Sequence, residues 1–413
     1  MRRRIFTLSA TLAASLAMLG ASGCASEAPQ SFDQQNGLLA AGEFDEAKGT
    51  FAEVEGAEDG LGAHFNDSSC ANCHPAPGKE LPGGGSAVTE LRAGHREANG
   101  SFVPARGGTL ITARALPGLT TEASALPESE GVRDRFITPS LFGSGFVESI
   151  ADATLRAIAN EQRAKTGGRI RGLARDVDVL EAPGKQAVGR FGWAAQHASL
   201  LSFSADAYKN EMGITSRLQP QDNTFFGEPV DDTIPDPEDA GGEFGKDVEL
   251  FASFMRALSA PPRIFPSESG ERRAIDEGEK IFVAIGCGLC HRPEIVTADA
   301  GTPVNGGART VPRALGGKTI HPFGDFLMHD IGTGSAILRE GVPVEAADKV
   351  RTAALWGLGT RLRHSDPLLH NGSAPTLQEA IQRHTRTAAQ EATKFQQLPE
   401  TDRARVLKFL QSL

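Results

Sequence analysis

The chain reads Cys287-Gly288-Leu289-Cys290-His291 in its second half, and an equivalent stretch, Cys70-Ala71-Asn72-Cys73-His74, lies near its start. Both have the form C-x-x-C-H, which is the attachment pattern of c-type haem. Two thiols one helical turn apart can add to the two vinyl groups of one porphyrin, and the adjacent histidine then reaches the iron as its proximal ligand. The two copies therefore predict two covalently bound haems.

Paired cysteines also have two other common uses. Four cysteines in two pairs can bind one zinc ion, but the usual zinc spacings are short, whereas 213 residues separate Cys73 from Cys287. A thioredoxin-like redox pair leaves the histidine after each motif unexplained, and no surrounding βαβ pattern supports it. The haem interpretation is favoured because the whole signature occurs twice in a chain that has only 5 cysteines.

The first 23 residues have the pattern of an export signal. Arg2, Arg3 and Arg4 form its charged start, residues 5–19 its apolar core, and Ala21-Ser22-Gly23 a small-residue cleavage site. Because the next residue is Cys24, the site is similar to a bacterial lipobox, and we expect lipid attachment there. The alternative is an ordinary secretory signal. Either way the sequence predicts a periplasmic protein. Its only expected membrane contact is the lipid on Cys24, which the ordinary secretory signal would not provide.

Length and charge limit the function classes. A chain of 413 residues is long enough for two or three domains. Removal of residues 1–23, which contain three arginines and no acidic residue, takes the formal net charge from −10 to −13. An acidic protein does not suit nucleic acid as a partner, but it suits a small basic electron-donor protein.

Helical patterns surround the two motifs. An apolar periodicity predicts a helix over about 38–54, before the first motif, and another over 271–285, before the second. A third amphipathic helix is predicted to close the chain over 400–413. Residues 75–108 are rich in glycine and proline and are predicted to be loop, and alternation with the period of a strand is scarce.

These patterns predict a mainly α fold with two cytochrome c-like domains. The polar residues 24–36 read as a tether. Residues 37–262 would form the first domain, with a large loop-rich insertion and the first haem. Residues 263–413 would form the second, and the boundary falls at the Pro261-Pro262 pair.

Several segments together resemble one family, the di-haem oxidoreductases, which are relatives of the bacterial di-haem cytochrome c peroxidases. Any one segment is weak on its own, but their order around two haem motifs is specific. The resemblance runs from about residue 60 to the carboxyl terminus, and its main segments are 189–193, 206–215, 321–332, 351–359, 369–372 and 376–381.

The resemblance implies roles for several residues beyond the motifs. Trp193 corresponds to a tryptophan that relays electrons between the haems, although core packing explains a tryptophan equally well. Glu211 corresponds to an acid–base glutamate, although it could be a surface carboxylate. The position fourteen residues after His370 holds a methionine ligand in the peroxidases and is His384 here, which implies bis-histidine ligation of the second haem. The alternative places His384 on an exposed helix face.

Two further sites rest on the resemblance. His95 lies where the peroxidases place a dissociable ligand of the first haem, and it could instead be a plain surface residue. Ser365 and Pro367 fall where the peroxidases offer carbonyls to a calcium ion.

The implied reaction passes electrons from a small periplasmic donor protein, through the second haem, to an oxidant such as hydrogen peroxide at the first. Two alternatives are oxidation of a protein substrate by long-range electron transfer, and electron transfer without catalysis.

Overall fold

The computed structural model describes residues 25–76, 81–230, 241–335, 337–339 and 341–413. Helices hold 35% of the residues and strands 17%, so the fold is mixed rather than mainly α. The twelve α-helices of the described part are α1 Ala41–Ala52, α2 Cys70–Cys73, α3 Glu122–Ala125, α4 Ser144–Glu148, α5 Asp152–Lys165, α6 Leu200–Met212, α7 Lys246–Ala257, α8 Ser269–Ala284, α9 Leu358–Arg363, α10 Leu377–Gln382, α11 Ala389–Gln397 and α12 Glu400–Ser412.

The strands are short, with two exceptions, β3 and β7. They are β1 Ser26–Glu27, β2 His64–Phe65, β3 Ser86–Arg96, β4 Phe102–Pro104, β5 Leu110–Ile111, β6 Arg114–Ala115, β7 Val132–Thr138, β8 Asp176–Asp178, β9 Gln186–Val188, β10 Thr224–Phe225, β11 Glu228–Pro229, β12 Ile295–Val296, β13 Pro303–Val304, β14 Arg309–Thr310, β15 Lys318–Ile320, β16 Met328–His329 and β17 Val350–Arg351.

The loop prediction for residues 75–108 is wrong in its second half. Strand β3 pairs antiparallel with β7, and β4 and β5 also pair with β3, which gives a four-stranded sheet. The strand is hard to recognise because it contains Gly94, whose added Cβ would lie 2.4 Å from the carbonyl oxygen of Val103. Glycine usually weakens a strand, but here it permits a close backbone approach.

The three helices predicted around the motifs are confirmed as α1, α8 and α12. Helix α8 packs on α12 through Ile275, Phe282 and Phe409. A Cβ on Gly278 would lie 2.1 Å from the carbonyl oxygen of Arg405, so only glycine allows this close crossing. The helix that leads to the second motif is therefore fixed by the helix that ends the chain.

A larger core lies around α1, α6 and α7, with Phe51, Phe254 and Tyr208 among its members. Residues from beyond the predicted boundary at 262, such as Ile320 and Leu327, belong to the same core. Side chains from both halves of the sequence therefore share one packed interior, which holds the two motifs in one body.

The predicted tether does not extend freely over its described residues. Ser26 and Glu27 pair in parallel with Lys318 and Thr319, and the Asn36 amide donates to the carbonyl oxygen of Arg256 at 2.7 Å. This amide binds a carbonyl at the end of α7, where helix carbonyls lack intrahelical partners. The signal sequence and Cys24 lie outside the described residues. No helix in the described part of the chain is both long and apolar enough to cross a bilayer.

Candidate functional site

The second motif begins directly after helix α8. Gly286 has a φ of +102°, a left-handed conformation that favours glycine, and it turns the chain from the helix into the short 3₁₀ turn Cys287–Leu289. The ring of His291 then donates from Nδ1 to the carbonyl oxygen of Phe323 at 3.0 Å. This hydrogen bond places the ring proton on Nδ1, so the lone pair of Nε2 is available to a metal, as is usual for a metal-ligating histidine.

His384 faces this imidazole. It follows α10 and donates from Nδ1 to the carbonyl oxygen of Ala380 at 2.7 Å, so its Nε2 is also free. The centroids of the His291 and His384 rings lie 6.3 Å apart. Burial lowers the pKa of His291 to about 4 and also lowers the pKa of His384, so both rings are neutral at pH 7.

This separation has a simple geometric meaning. A metal-bound imidazole nitrogen lies about 2.0–2.1 Å from the metal, and a ring with bonds of about 1.33 Å has its atoms about 1.1 Å from its centroid. Two imidazoles on opposite sides of one metal ion thus have centroids about 6.3 Å apart. The His291–His384 ring centroids, at 6.3 Å, have that separation.

A cavity of about 470 Å³ lies beside the pair. Its size is within the roughly 300–1,000 Å³ of cofactor pockets. The wall is largely apolar and includes both cysteines of the second motif, His291 and His384, and it extends to Pro75, Gly84 and Ser86 beside the first motif. The donor set and the walls therefore fit a haem attached at Cys287 and Cys290.

The first motif forms the one-turn helix α2, so its two thiols lie one turn apart. Burial raises the pKa values of Cys70 and Cys73 to about 12, and it lowers the pKa of His74 to about 4. The ring of His74 donates from Nδ1 to the carbonyl oxygen of Gly84 at 3.3 Å. As in the second motif, a backbone carbonyl orients the proximal histidine, and the backbone of Pro139 also acts on this ring.

Glu211 lies next to this first motif. The side-chain amide of Asn66, four residues before Cys70, donates a hydrogen bond to Glu211 Oε2 at 2.7 Å. The charge of the Glu211 carboxylate also acts on the thiol of Cys73. Loss of water and the nearby Glu90 carboxylate raise the pKa of Glu211 to about 7. A carboxyl with this pKa can both accept and donate a proton near neutral pH.

The sequence pattern of one family, described as "Di-haem oxidoreductase, putative peroxidase", matches residues 123–413. The chain belongs to the di-haem oxidoreductase family. The matched residues include the second motif, while the first motif lies ahead of them. Membership implies haem cofactors and a redox function.

Among solved structures, a chain of hydrazine synthase from Kuenenia stuttgartiensis, pressurised with 20 bar xenon, aligns with a TM-score of 0.41 and 12% sequence identity. That alignment covers 100% of each chain. No curated protein matches the sequence.

Trp193 of this di-haem oxidoreductase lies on the wall of the cavity. Its indole Nε1 donates to the carbonyl oxygen of Ile137 at 2.8 Å, which fixes the ring. The ring of His370 meets it edge-on with centroids 6.2 Å apart, and the guanidinium of Arg351 lies 5.8 Å from its centroid. The indole of Trp193 is therefore held in one orientation at the cavity wall, with His370 and Arg351 beside it.

The structure does not bring His95 to the first motif. Its Nδ1 pairs with Glu130 at 3.0 Å, and it lies near the far end of β3, nine residues from Ser86, which contacts Cys73. At about 3.3 Å per strand residue, these nine residues span roughly 30 Å. The pairing of β3 with β7 therefore holds His95 beside Glu130 in this structure, and its role as a dissociable haem ligand stays a prediction.

A buried group that sequence reasoning missed lies against Cys290. His329 donates from Nε2 to Asp325 Oδ2 at 2.8 Å, and its Nδ1 lies 3.8 Å from Cys290 Sγ. The Asp325 carboxylate raises the pKa of His329 well above its usual value, so the imidazolium and the carboxylate form a buried ion pair. Both residues belong to a family segment, 321–332, but the family resemblance assigned neither of them a role.

One of the two carbonyl groups predicted to bind calcium, that of Pro367, already has an arginine as its hydrogen-bond partner. The carbonyl oxygen of Pro367 accepts a hydrogen bond from Arg361 Nε at 3.1 Å. Ser365 next to it has a φ of +59°, a left-handed conformation. The described residues contain one cluster of three metal-liganding side chains, and it is Cys290, Asp325 and His329, away from this turn. Calcium binding here stays a prediction.

Proposed function

We propose that this di-haem oxidoreductase is a periplasmic enzyme of peroxidase type with two covalently attached c-type haems. Cys70, Cys73 and His74 would hold the first, and Cys287, Cys290 and His291 the second. The observation that carries the proposal is the difference between the two motifs. The second faces the imidazole of His384, whereas the first has beside it a carboxyl whose pKa is about 7.

The difference matters because haem iron with both axial positions filled transfers electrons, whereas haem iron with an open position can bind and reduce a small oxidant. We propose that His291 and His384 would fill both positions at the second site, and the 6.3 Å between their ring centroids supports this. We therefore assign electron entry to the second site and the reduction of a peroxide to the first.

Glu211 would supply acid–base catalysis at the first site. Asn66 holds its Oε2, so we assign proton exchange to Oε1. As a carboxylate it would take a proton from a peroxide at the first site, and as a carboxylic acid it would return that proton to the oxygen that departs as water; the haem would supply the iron that binds the peroxide and passes on the electrons. A pKa of about 7 populates both forms near neutral pH, which is the condition for this exchange.

Trp193 would carry electrons between the sites. The indole lies on the wall of a cavity that extends from the second motif to the residues beside the first. Its hydrogen bond to Ile137 prevents rotation, so its distance to both sites stays constant.

The partner and the location follow from the sequence. The export signal supports a periplasmic enzyme, and Cys24 would attach it to the membrane by a lipid. A net charge of −13 without the signal favours a small basic protein as the electron donor. The oxidant we propose is hydrogen peroxide or a close relative.

Electron paramagnetic resonance of the purified protein tests the proposal. We expect two haems per chain by the pyridine haemochromogen assay, one low-spin signal from the second site, and a high-spin signal, from the first site, that changes when peroxide is added to the half-reduced protein. If both irons are low-spin and peroxide changes nothing, the protein is an electron-transfer protein and the peroxidase assignment fails.

A variant of His384 shows which paramagnetic resonance signal comes from which haem site. His384→Ala should make the second site high-spin and leave the first unchanged. An unchanged low-spin spectrum in this variant would contradict the assignment of His384 as a ligand.

A further inference from the structure

Arg351 is a buried cation that forms no ion pair with the residues that the structure describes. Its exposure is 8%, and it lies on β17, which pairs with β16. Its Nε donates to the carbonyl oxygen of Gly192 at 2.7 Å. None of the described residues supplies a hydrogen bond or salt-bridge partner to its two terminal nitrogens, and the side chain lines the cavity.

Asp325, the carboxylate whose charge acts on Arg351, is already neutralised. Its Oδ2 accepts from His329 at 2.8 Å and from Gln162 at 2.6 Å, and its Oδ1 accepts from the backbone N–H of Leu327 at 3.0 Å. A guanidinium has five N–H donors, and a buried one is costly unless a negative charge and further hydrogen bonds compensate it. The part of the Arg351 guanidinium that faces the cavity therefore has no negatively charged partner among the described residues.

His370 provides a second polar group at the same place. It is 2% exposed and lines the cavity, and its buried Nε2 has no hydrogen-bond partner in the described part of the chain. Buried polar groups are nearly always bonded, so an orphan ring nitrogen indicates a missing partner. His370 and Arg351 both lie against Trp193. The ring centroid of His370 is 6.2 Å from that of Trp193, and the central carbon of the Arg351 guanidinium is 5.8 Å from it.

We propose that Arg351 and His370 bind a carboxylate beside Trp193, and that this carboxylate is a propionate of the haem attached at Cys287 and Cys290. The guanidinium fork matches a carboxylate with two parallel hydrogen bonds. Arg351 is paired with Met328, the neighbour of His329 on β16, and it lines the same cavity as Cys290 and His291, so we assign it to the second site. The inference rests on the proposed covalent attachment of haem.

The carboxylate would have two consequences for function. It would neutralise Arg351, and it would place the edge of the second haem against the indole that we assign to electron transfer. Arg351 and His370 are therefore positioning residues, which set the orientation and the potential of the second haem.

Spectroelectrochemical titration of the Arg351→Gln protein tests this site. The substitution leaves the propionate charge unbalanced, which favours ferric iron. We expect the ferric–ferrous equilibrium of one haem to shift about tenfold towards ferric, a midpoint lower by about 59 mV for one electron. The propionate bending modes in the resonance Raman spectrum should shift as well.

Two further variants keep the test decisive. Arg175→Gln is the matched control, since Arg175 also donates to carbonyl oxygens without an ion pair but does not line the cavity; it should leave both midpoints unchanged. Arg351→Lys keeps the charge and loses the fork, so it should shift the propionate modes while its midpoint stays near that of the unmodified protein. It also provides a measurement if Arg351→Gln fails to fold.

The outcomes separate the alternatives. Two haems per chain with unchanged midpoints and unchanged propionate modes in both Arg351 variants would overturn the inference and leave the proposed function standing. If added acetate shifts the midpoint of the unmodified protein in a saturable way, and Arg351→Gln abolishes that shift, the site takes a free carboxylate and the propionate assignment is wrong. An unmodified protein without covalent haem would instead overturn the proposed function.

Discussion

Replacement of Glu211 by glutamine separates proton transfer from packing at the first site. Glutamine has nearly the same shape, and its side-chain oxygen can still accept the hydrogen bond from Asn66 Nδ2 that Glu211 Oε2 accepts at 2.7 Å. It cannot exchange a proton near neutral pH. Any loss of activity in Glu211→Gln therefore reports the missing acid–base group.

The magnitude and the pH dependence follow from the pKa of this carboxyl. Positioned acid–base groups contribute about 10²–10⁴-fold to a rate, so we expect kcat/KM for peroxide to fall by about that factor. Because the free enzyme must present the carboxylate, kcat/KM of the unmodified protein should rise with pH and level off above the pKa of about 7. The variant should have no such inflection.

The same pKa predicts an effect on stability. The pKa of Glu211 is raised from 4.5 to about 7, so the folded state holds its proton more tightly than the unfolded chain. Below pH 4.5 the carboxyl is protonated in both states and has no effect. Between pH 4.5 and 7 the unfolded chain ionises while the folded protein keeps this proton, so stability on the order of 3 kcal/mol is lost across that window and is gone once the pH has risen through the folded pKa. Glu211→Gln should therefore gain stability at pH 8 relative to pH 5.

Steady-state peroxidase assays and guanidinium denaturation at both pH values measure these effects. Glu97→Gln, at an exposed glutamate, is the matched control and should change neither kinetics nor the pH dependence of unfolding. If Glu211→Gln keeps the kcat/KM and the pH profile of the unmodified protein, Glu211 is not the acid–base group. If activity falls but the unfolding midpoints keep their pH dependence, the raised pKa is the part that is wrong.

Other substitutions test the remaining sites. His384→Met should keep the second haem six-coordinate and raise its midpoint by on the order of 0.1 V, since methionine ligation raises haem potentials within a range of about 0.8 V; an unchanged midpoint would exclude His384 as a ligand. Trp193→Phe should slow electron transfer between the haems in stopped-flow experiments without changing either midpoint, and an unaltered rate would leave Trp193 a packing residue. Glu148→Gln should destabilise the protein by about 3–5 kcal/mol, because it breaks a buried pair with Arg256 and leaves the guanidinium uncompensated. Arg256 Nε donates to Glu148 Oε2 at 2.6 Å, so chemical denaturation of this variant provides the measurement.

Local features were predictable because they depend on neighbouring residues. The C-x-x-C-H spacing places two thiols one turn apart wherever the chain is helical, and α2 has this form. The helices before the motifs and at the carboxyl terminus have apolar faces with a helical period, and they occur where that period predicts them.

The sheet and the position of His95 were not predictable for a physical reason. Strand β3 is stabilised by pairing with β7, about forty residues later, and its own composition, with Gly94 inside it, reads as loop. Once paired, the strand carries His95 away from the first motif and towards Glu130. A ligand search along the chain cannot detect such a displacement, since sequence distance does not measure distance across a sheet.

The sequence by itself determined where two haems can be attached and which helices lead to those positions, because both follow from residues within a few turns of each motif. Only the tertiary structure decided how the two sites differ. It brings His384 to 6.3 Å from His291, and it places Glu211 near Glu90, which helps raise its pKa to about 7. It also buries Arg351 at the cavity, where no described residue forms an ion pair with it. Ligand geometry, proton affinity and charge compensation are properties of groups in space, and packing brings those groups together from distant parts of the chain.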